Sequence, residues 1–169
     1  HLLDRDRSQL LSAPDITVDA HAAIIEASQR RVAREPLQHI TGEASFRYLD
    51  LHVGPGVFVP RPETEVVVEA ALAQLPTTGP ALVVDLGAGS GAISLAIATE
   101  RPETTVYAVE LDAGALPWLT QNVMRHAETL RQRNSRIVVV LAGAGAVSRP
   151  DQPLGRLCGA VQLVVANPP

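Results

Sequence analysis

Between residues 17 and 34 apolar positions recur at helical spacing, at Ala20, Ala23, Ile24, Ala27 and Val32, with Arg31 beside the last. Thr17 or Asp19 can cap the start and Pro36 stops the segment, so the spacing predicts a helix. From Ala44 the period changes to two, through Phe46, Tyr48, then Leu49, Leu51 and Val53, Gly54-Pro55-Gly56, and Val57-Phe58-Val59. This predicts a β-hairpin over Ala44 to Val59, turned at the glycines. Pro60-Arg61-Pro62 leads into Glu63-Thr64-Glu65, after which Val66, Val67, Ala70, Ala71 and Leu75 return to helical spacing. Acids suit the first turn of a helix, and in isolation Thr64 reads as part of its cap.

After a turn-forming stretch from Pro76 to Pro80, short apolar runs alternate with helical patterns. The runs are Ala81 to Leu86, Val106 to Val109 closed by Glu110, Ile137 to Leu141, and Val161 to Ala166. Helices are expected over Ala92 to Thr99 and over about Ala113 to Arg131, where Pro117 is tolerated in the first turn and Trp118 and Met124 are expected to pack. Strands buried on both faces read as continuous apolar segments, so the fold class is α/β, a parallel Rossmann-like sheet with flanking helices. Ala142 to Gly159, broken by glycines and prolines, is expected to be an irregular connection.

The 169 residues, 46% hydrophobic and 19% charged, suffice for one cored domain and a small appendage, and exclude disorder as the main description. All 14 basic residues are Arg, and against 18 acids they leave a net charge of -4, with no basic footprint for stable nucleic-acid binding. Ala70 to Val84 carries no charge but is broken by Pro76, Gly79 and Pro80, so no membrane span is expected there. Cys158, without a second cysteine, makes a reducing, cytoplasmic setting the expectation. His21, His39, His52 and His126 have no ligand spacing, and no metal is expected.

Asp85-Leu86-Gly87-Ala88-Gly89-Ser90-Gly91-Ala92 lies between an expected strand and an expected helix. Glycines let the backbone bend sharply and approach a ligand, while the helix behind them presents free N–H groups. Gly87, Gly89 and Ala92 satisfy a G-x-G-x-x-A dinucleotide fingerprint, and Glu110 stands where a ribose-binding acid would close the next strand. A carboxylate is acceptor-only and can take hydrogen bonds from both vicinal hydroxyls; Asp112 is expected to cap the following helix. Asn167-Pro168-Pro169 ends the fourth run, at the carboxyl edge where open α/β sheets bind ligands. Carbonyls of an Asn and a Pro held side by side can accept both hydrogens of a planar NH₂ group and aim its nitrogen at an electrophile.

Taken in order, Pro36-Leu37-Gln38-His39-Ile40-Thr41-Gly42, the segment Phe58-Val59-Pro60-Arg61-Pro62-Glu63-Thr64-Glu65, the glycine loop and Asn167-Pro168-Pro169 resemble the HemK-type release factor glutamine methyltransferases. The resemblance covers about Pro36 to Pro169 and is carried most specifically by the P-R-P-E-T-E segment. It implies S-adenosylmethionine as methyl donor, and as acceptor the glutamine side-chain amide in the Gly-Gly-Gln loop of peptide chain release factors. It further implies that Gly87, Ala88, Gly89, Ser90, Gly91, Glu110, Thr64 and Asn167 contact the cofactor. Asn167 and Pro168 would grip the glutamine amide, with Pro169 completing the substrate site.

The resemblance divides the chain into the end of a helical substrate-recognition domain (1–42), a hairpin linker (43–60) and a methyltransferase domain (61–169). Family members commonly place an acid and a bulky residue after the third strand, near the adenine. Here Ala142-Gly143-Ala144-Gly145 stands there, and no adenine contact is assigned. Opening on His1 and closing inside Asn-Pro-Pro, the sequence is expected to be a piece of a longer protein. Three alternatives share features with it: an amino-methyltransferase of nucleic-acid bases, which needs the same NH₂ grip, a nicotinamide-dependent dehydrogenase and a non-catalytic cofactor-binding module.

Overall fold

The computed structural model describes residues 17–145, 147 and 149–168. Its contacts divide the chain into two compact units, residues 1–42 and 43–169. In the first, α1 (Val18–Val32) starts at Thr17, whose hydroxyl accepts from the Ala20 N–H at 3.2 Å, so Thr17 and not Asp19 is the cap. Past its end, Arg34 takes a left-handed φ of 69° and the Arg30 guanidinium bonds Glu35 at 2.8 Å and the His39 carbonyl at 3.3 Å. Those bonds hold the turn into a short helix, α2 (Leu37–Thr41), that periodicity did not signal.

The second unit opens with a hairpin of β1 (Glu43–Phe46) and β2 (Leu49–His52), paired Phe46 to Leu49 and Glu43 to His52. The turn is therefore Arg47-Tyr48, not the glycines, and residues 53–59 form no strand. Arg47 supplies the left-handed φ of 51° that a two-residue turn needs. The sequence carried the clue as a phase slip: Tyr48 is exposed while Phe46, Leu49 and Leu51 are buried. Gly54-Pro55-Gly56 makes a separate turn closed by Val57 N–H to the Gly54 carbonyl at 3.3 Å, with Gly56 at φ 89° as a type II turn requires. Arg47 also fastens the hairpin to the rest of the unit, through paired bonds of 2.6 and 2.7 Å to Glu100. Those bonds hold its guanidinium pKa above its ordinary value against the opposing effect of burial.

A 3-10 turn (Pro62–Thr64) runs into α3 (Glu65–Gln74), followed by β3 (Ala81–Leu86), α4 (Ala92–Glu100) and β4 (Thr104–Glu110). Then come α5 (Leu116–Arg125), α6 (Ala127–Gln132), β5 (Arg136–Leu141) and β6 (Leu163–Ala166). The expected single helix after Glu110 is two, because His126 leaves helical geometry at φ -99°, ψ 11° and its Nε2 lies 3.1 Å from the Asp50 carbonyl of β2. Pro117 does sit in the first turn of α5. Trp118 packs as expected against the buried Val53, Val57 and Val59, whereas Met124 is 72% exposed, lying off the stripe that buries Leu119 and Asn122.

All four strands of the sheet are parallel, in the order β5-β4-β3-β6, with Val83 beside Val106 and Leu163, and Val106 beside Ile137. One face carries Val83, Val106, Ile137 and Val165, packed on α3, α4 and the hairpin residues Phe46, Leu49 and Leu51. The hairpin is thus part of this core, not a linker. On the other face Val84, Val109 and Val140 pack against Val147, Leu154, Leu157 and Val161, so the irregular connection covers that face. Among the described residues no helix is long and apolar enough to cross a membrane. The order reverses between β3 and β6, so the carboxyl ends of those two strands are the switch point where open parallel sheets bind ligands.

Candidate functional site

Three of the expected features meet at that carboxyl edge: the glycine loop after β3, Glu110 at the end of β4 and Asn167 after β6. The loop is bent by left-handed glycines, Gly87 at φ 77°, Gly89 at 54° and Gly91 at 86°. Two of its N–H groups, Gly87 and Ala88, bond the Val109 carbonyl at 2.9 and 3.0 Å, which ties it to β4. A Cβ on Gly87 would meet nothing within 4 Å, so the backbone there borders open space. Gly91 is closed in: a Cβ would come within 2.6 Å of Leu119 Cδ1, and at its φ any other residue would be strained. Gly91 also begins α4 without a side-chain cap.

Glu110, 9% exposed, spends its carboxylate on backbone donors. Oε2 accepts from Gly89 N–H at 2.8 Å, and Oε1 from Leu111 and Asp112 N–H, both at 2.8 Å. A carboxylate has about four lone-pair positions, so one and not two remains for a ligand hydroxyl while the loop holds this form. Asp112 does not cap α5; its Oδ1 accepts from Gly114 N–H at 2.7 Å, shaping the turn that precedes the helix. Beneath the loop Asp85 is fully buried, with Oδ2 accepting the Ser94 hydroxyl at 2.6 Å and Oδ1 without a partner. Burial pushes its pKa up to about 6, partly opposed by the Ser94 bond and reinforced by the Glu110 charge.

Residues 57–64 form a strap that runs past the glycine loop to Asn167. Val57 approaches Gly89 to within 4.0 Å of where a Cβ would lie, Arg61 stacks over the exposed Phe58 ring at 5.5 Å, and Thr64 reaches Asn167. Asn167 Nδ2 donates to Thr64 Oγ1 at 3.0 Å. The hydroxyl makes no cap for α3, so the capping role expected of Thr64 is not the one it has. Asn167 and Pro168 are exposed, and Pro169 lies outside the described residues.

Asn122 was not singled out by the sequence reading. Fully buried on α5, its Oδ1 accepts from His52 N–H at 2.7 Å, while Nδ2 donates to the carbonyls of His52 and Ser90, both at 2.9 Å. One side chain thereby joins the end of the hairpin, α5 and the glycine loop. The available signal was a lone polar residue at position 122, on the helical face that Leu119 and Val123 make apolar.

Comparisons with known proteins agree with this geometry. Residues 1–42 match the PrmC N-terminal domain, and residues 48–142, more than half of the chain, match the methyltransferase small domain. A release factor glutamine methyltransferase from Streptomyces coelicolor is 48% identical over 166 residues, covering 96% of this chain and 53% of the relative. One from Bifidobacterium longum is 44% identical over 171 residues, covering 99% of this chain and 56% of the relative. The chain therefore spans about half the length of the curated relatives it matches. Among solved structures, a SAM dependent methyltransferase from Agrobacterium tumefaciens superposes with a TM-score of 0.52 at 23% identity, covering 75% of this chain and 39% of that one, and shares the fold. The nicotinamide-dehydrogenase alternative gives way to this match, and the chain belongs to the methyltransferase small domain family.

Proposed function

We propose that the protein transfers a methyl group from S-adenosylmethionine to the side-chain amide nitrogen of the glutamine in the Gly-Gly-Gln loop of peptide chain release factors. The observation that carries this reading is Asn167, standing at the carboxyl end of β6 across the switch point from the glycine loop and tethered by the strap. The residues present fit the cofactor. Gly87 borders open space, Glu110 Oε2 keeps an acceptor position for a hydroxyl, and the uncapped start of α4 suits negative charge. Gly87, Ala88, Gly89, Ser90 and Gly91 would cradle it, Glu110 would hold its ribose, and Thr64 and Asn167 would lie toward its methionine end.

Bound there, the sulfonium supplies an electrophilic methyl group. An amide nitrogen is a weak nucleophile because its lone pair is delocalised toward the carbonyl. Asn167 Oδ1 and the Pro168 carbonyl, accepting from the two amide hydrogens, would shift electron density toward nitrogen and hold it in line with the methyl carbon. Asn167 and Pro168 would hold the amide nitrogen for transfer, in which the nitrogen–carbon bond would replace the carbon–sulfur bond, the thioether would be released and one amide proton would pass to solvent. The same carbonyl dipoles offset the positive charge that develops on nitrogen. Pro169 would complete the substrate site.

Support for a release factor as the partner comes from the names of the relatives and from an acidic chain with no lysine, which suits a protein substrate better than bare nucleic acid. A cytoplasmic location goes with that partner. Incubating the intact protein with methyl-labelled S-adenosylmethionine and either a release factor or DNA tests the reading. Label is expected on the release factor glutamine; label on DNA alone would transfer the reading to an amino-methyltransferase of bases.

A further inference from the structure

We infer that Trp118 is a positioning residue: its indole seats the root of the strap, and so sets the acceptor side of the site against the glycine loop. This rests on the function proposed above. The helix that carries Trp118, α5, touches both sides. Toward the loop, Leu119 Cδ1 lies 2.6 Å from where a Cβ on Gly91 would stand, and Asn122 Nδ2 donates to the Ser90 carbonyl at 2.9 Å. Toward the strap, Trp118 Nε1 donates to the Pro55 carbonyl at 3.1 Å. An indole N–H only donates and a carbonyl only accepts, so the sense of that bond is fixed. One rigid helix therefore holds the glycine loop with Leu119 and Asn122 and the start of the strap with Trp118.

The seat is shaped from the other side as well. Gly54 does not take a left-handed φ, so its backbone does not call for a glycine. The indole does: a Cβ on Gly54 would lie 2.5 Å from both Cζ2 and Cη2 of Trp118. The same ring packs on the buried cluster of Ala44, Val53, Val57, Val59 and Ala115, which joins the end of the hairpin, the first part of the strap and the start of α5. From this seat the strap passes Gly89, where Val57 Cγ2 lies 4.0 Å from the place of a Cβ. Pro60 and Pro62 stiffen the stretch that follows, up to Thr64, whose hydroxyl is 3.0 Å from Asn167 Nδ2. A shift at the root is thus carried to the residue that would grip the acceptor amide, while the loop keeps its own attachments to α5.

The test compares the intact wild-type protein with Trp118→Phe, Gly54→Ala and the pair. Phenylalanine keeps an aromatic ring but has neither the N–H nor the outer ring atoms that meet Gly54. An alanine at 54 collides with the indole in the wild-type background and has room beside phenylalanine. The first readout needs no turnover: the side-chain ¹⁵NH₂ resonance of Asn167, at the far end of the strap, assigned by its loss in Asn167→Ala. It is expected to move in each single variant and to return toward its wild-type position in the pair. In methyl transfer to a Gly-Gly-Gln release factor, each single variant is expected to lower kcat about tenfold while cofactor Kd stays within about twofold. The pair is expected to recover to within about threefold of wild type. Variants that lose stability but keep wild-type kcat and an unmoved Asn167 resonance would make Trp118 a packing residue and overturn the inference, as would additive losses in the pair. Should Gly54→Ala fail to fold, the resonance and kcat of Trp118→Phe decide alone. Wild-type protein that transfers no methyl to glutamine would instead sink the proposed function, with the resonance still deciding the role of Trp118.

Discussion

At the residue scale the most consequential group is Asp85, a carboxylate fully buried beneath the glycine loop with one oxygen unpartnered. Its pKa is raised in the folded state, from 3.8 to about 6, so the folded state holds its proton more tightly than the unfolded one. The resulting stability is fully present below about pH 4 and is lost as pH rises through 6. Asp85→Asn keeps an acceptor for Ser94 and removes the charge. It is expected to match wild type in urea unfolding at pH 4 and to exceed it at pH 8 by up to about 3 kcal/mol. An equal offset at both pH values would mean that ionisation is not the cause. Sequence made the position of such residues legible but not their state. Glu110 falls at the strand end where the glycine spacing placed it, yet its three backbone bonds depend on how the chain turns at Leu111 and Asp112, which carries no pattern. Thr64 was readable as a threonine before a helix and misread as a cap, because its partner lies just past a strand far along the chain.

Elements were legible where one pattern ran unbroken. β3 was expected over Ala81 to Leu86 and lies there, and α4 differs by one residue at its end. Boundaries failed where a tertiary contact intervened: His126 beside the Asp50 carbonyl splits the helix after Glu110, and Arg47 in left-handed geometry turns the hairpin seven residues before the expected glycines. Asn122 shows what such contacts do for the site, since a single side chain holds β2, α5 and the loop together. Asn122→Leu, similar in size but without hydrogen bonds, strands two His52 backbone groups and the Ser90 carbonyl. It is expected to lower stability by about 2–4 kcal/mol and to weaken cofactor binding several-fold, read by denaturant unfolding and by titration. Met124→Ala, on the exposed side of the same helix, is expected to change stability by no more than about 0.5 kcal/mol. Equal effects of the two substitutions would remove Asn122 from this role.

For the whole molecule, the alternation of apolar runs and helical patterns made a parallel sheet legible, but not the reversal that sends β6 to the far side of β3. That reversal is what sets the switch point at the carboxyl ends of β3 and β6. In the proposed function it would also divide the labour, with the donor between β3 and β4 at the glycine loop and Glu110, and the acceptor after β6 at Asn167 and Pro168. The strap of residues 57–64 touches both sides, Val57 at Gly89 and Thr64 at Asn167, which gives a physical reason for the P-R-P-E-T-E segment that helix capping did not. The division is most directly tested by Asn167→Ala in the intact protein, measuring S-adenosylmethionine affinity and methyl transfer to a release factor side by side. The account predicts cofactor affinity within a few-fold of wild type and transfer abolished. An Asn167→Ala protein with normal turnover would contradict it.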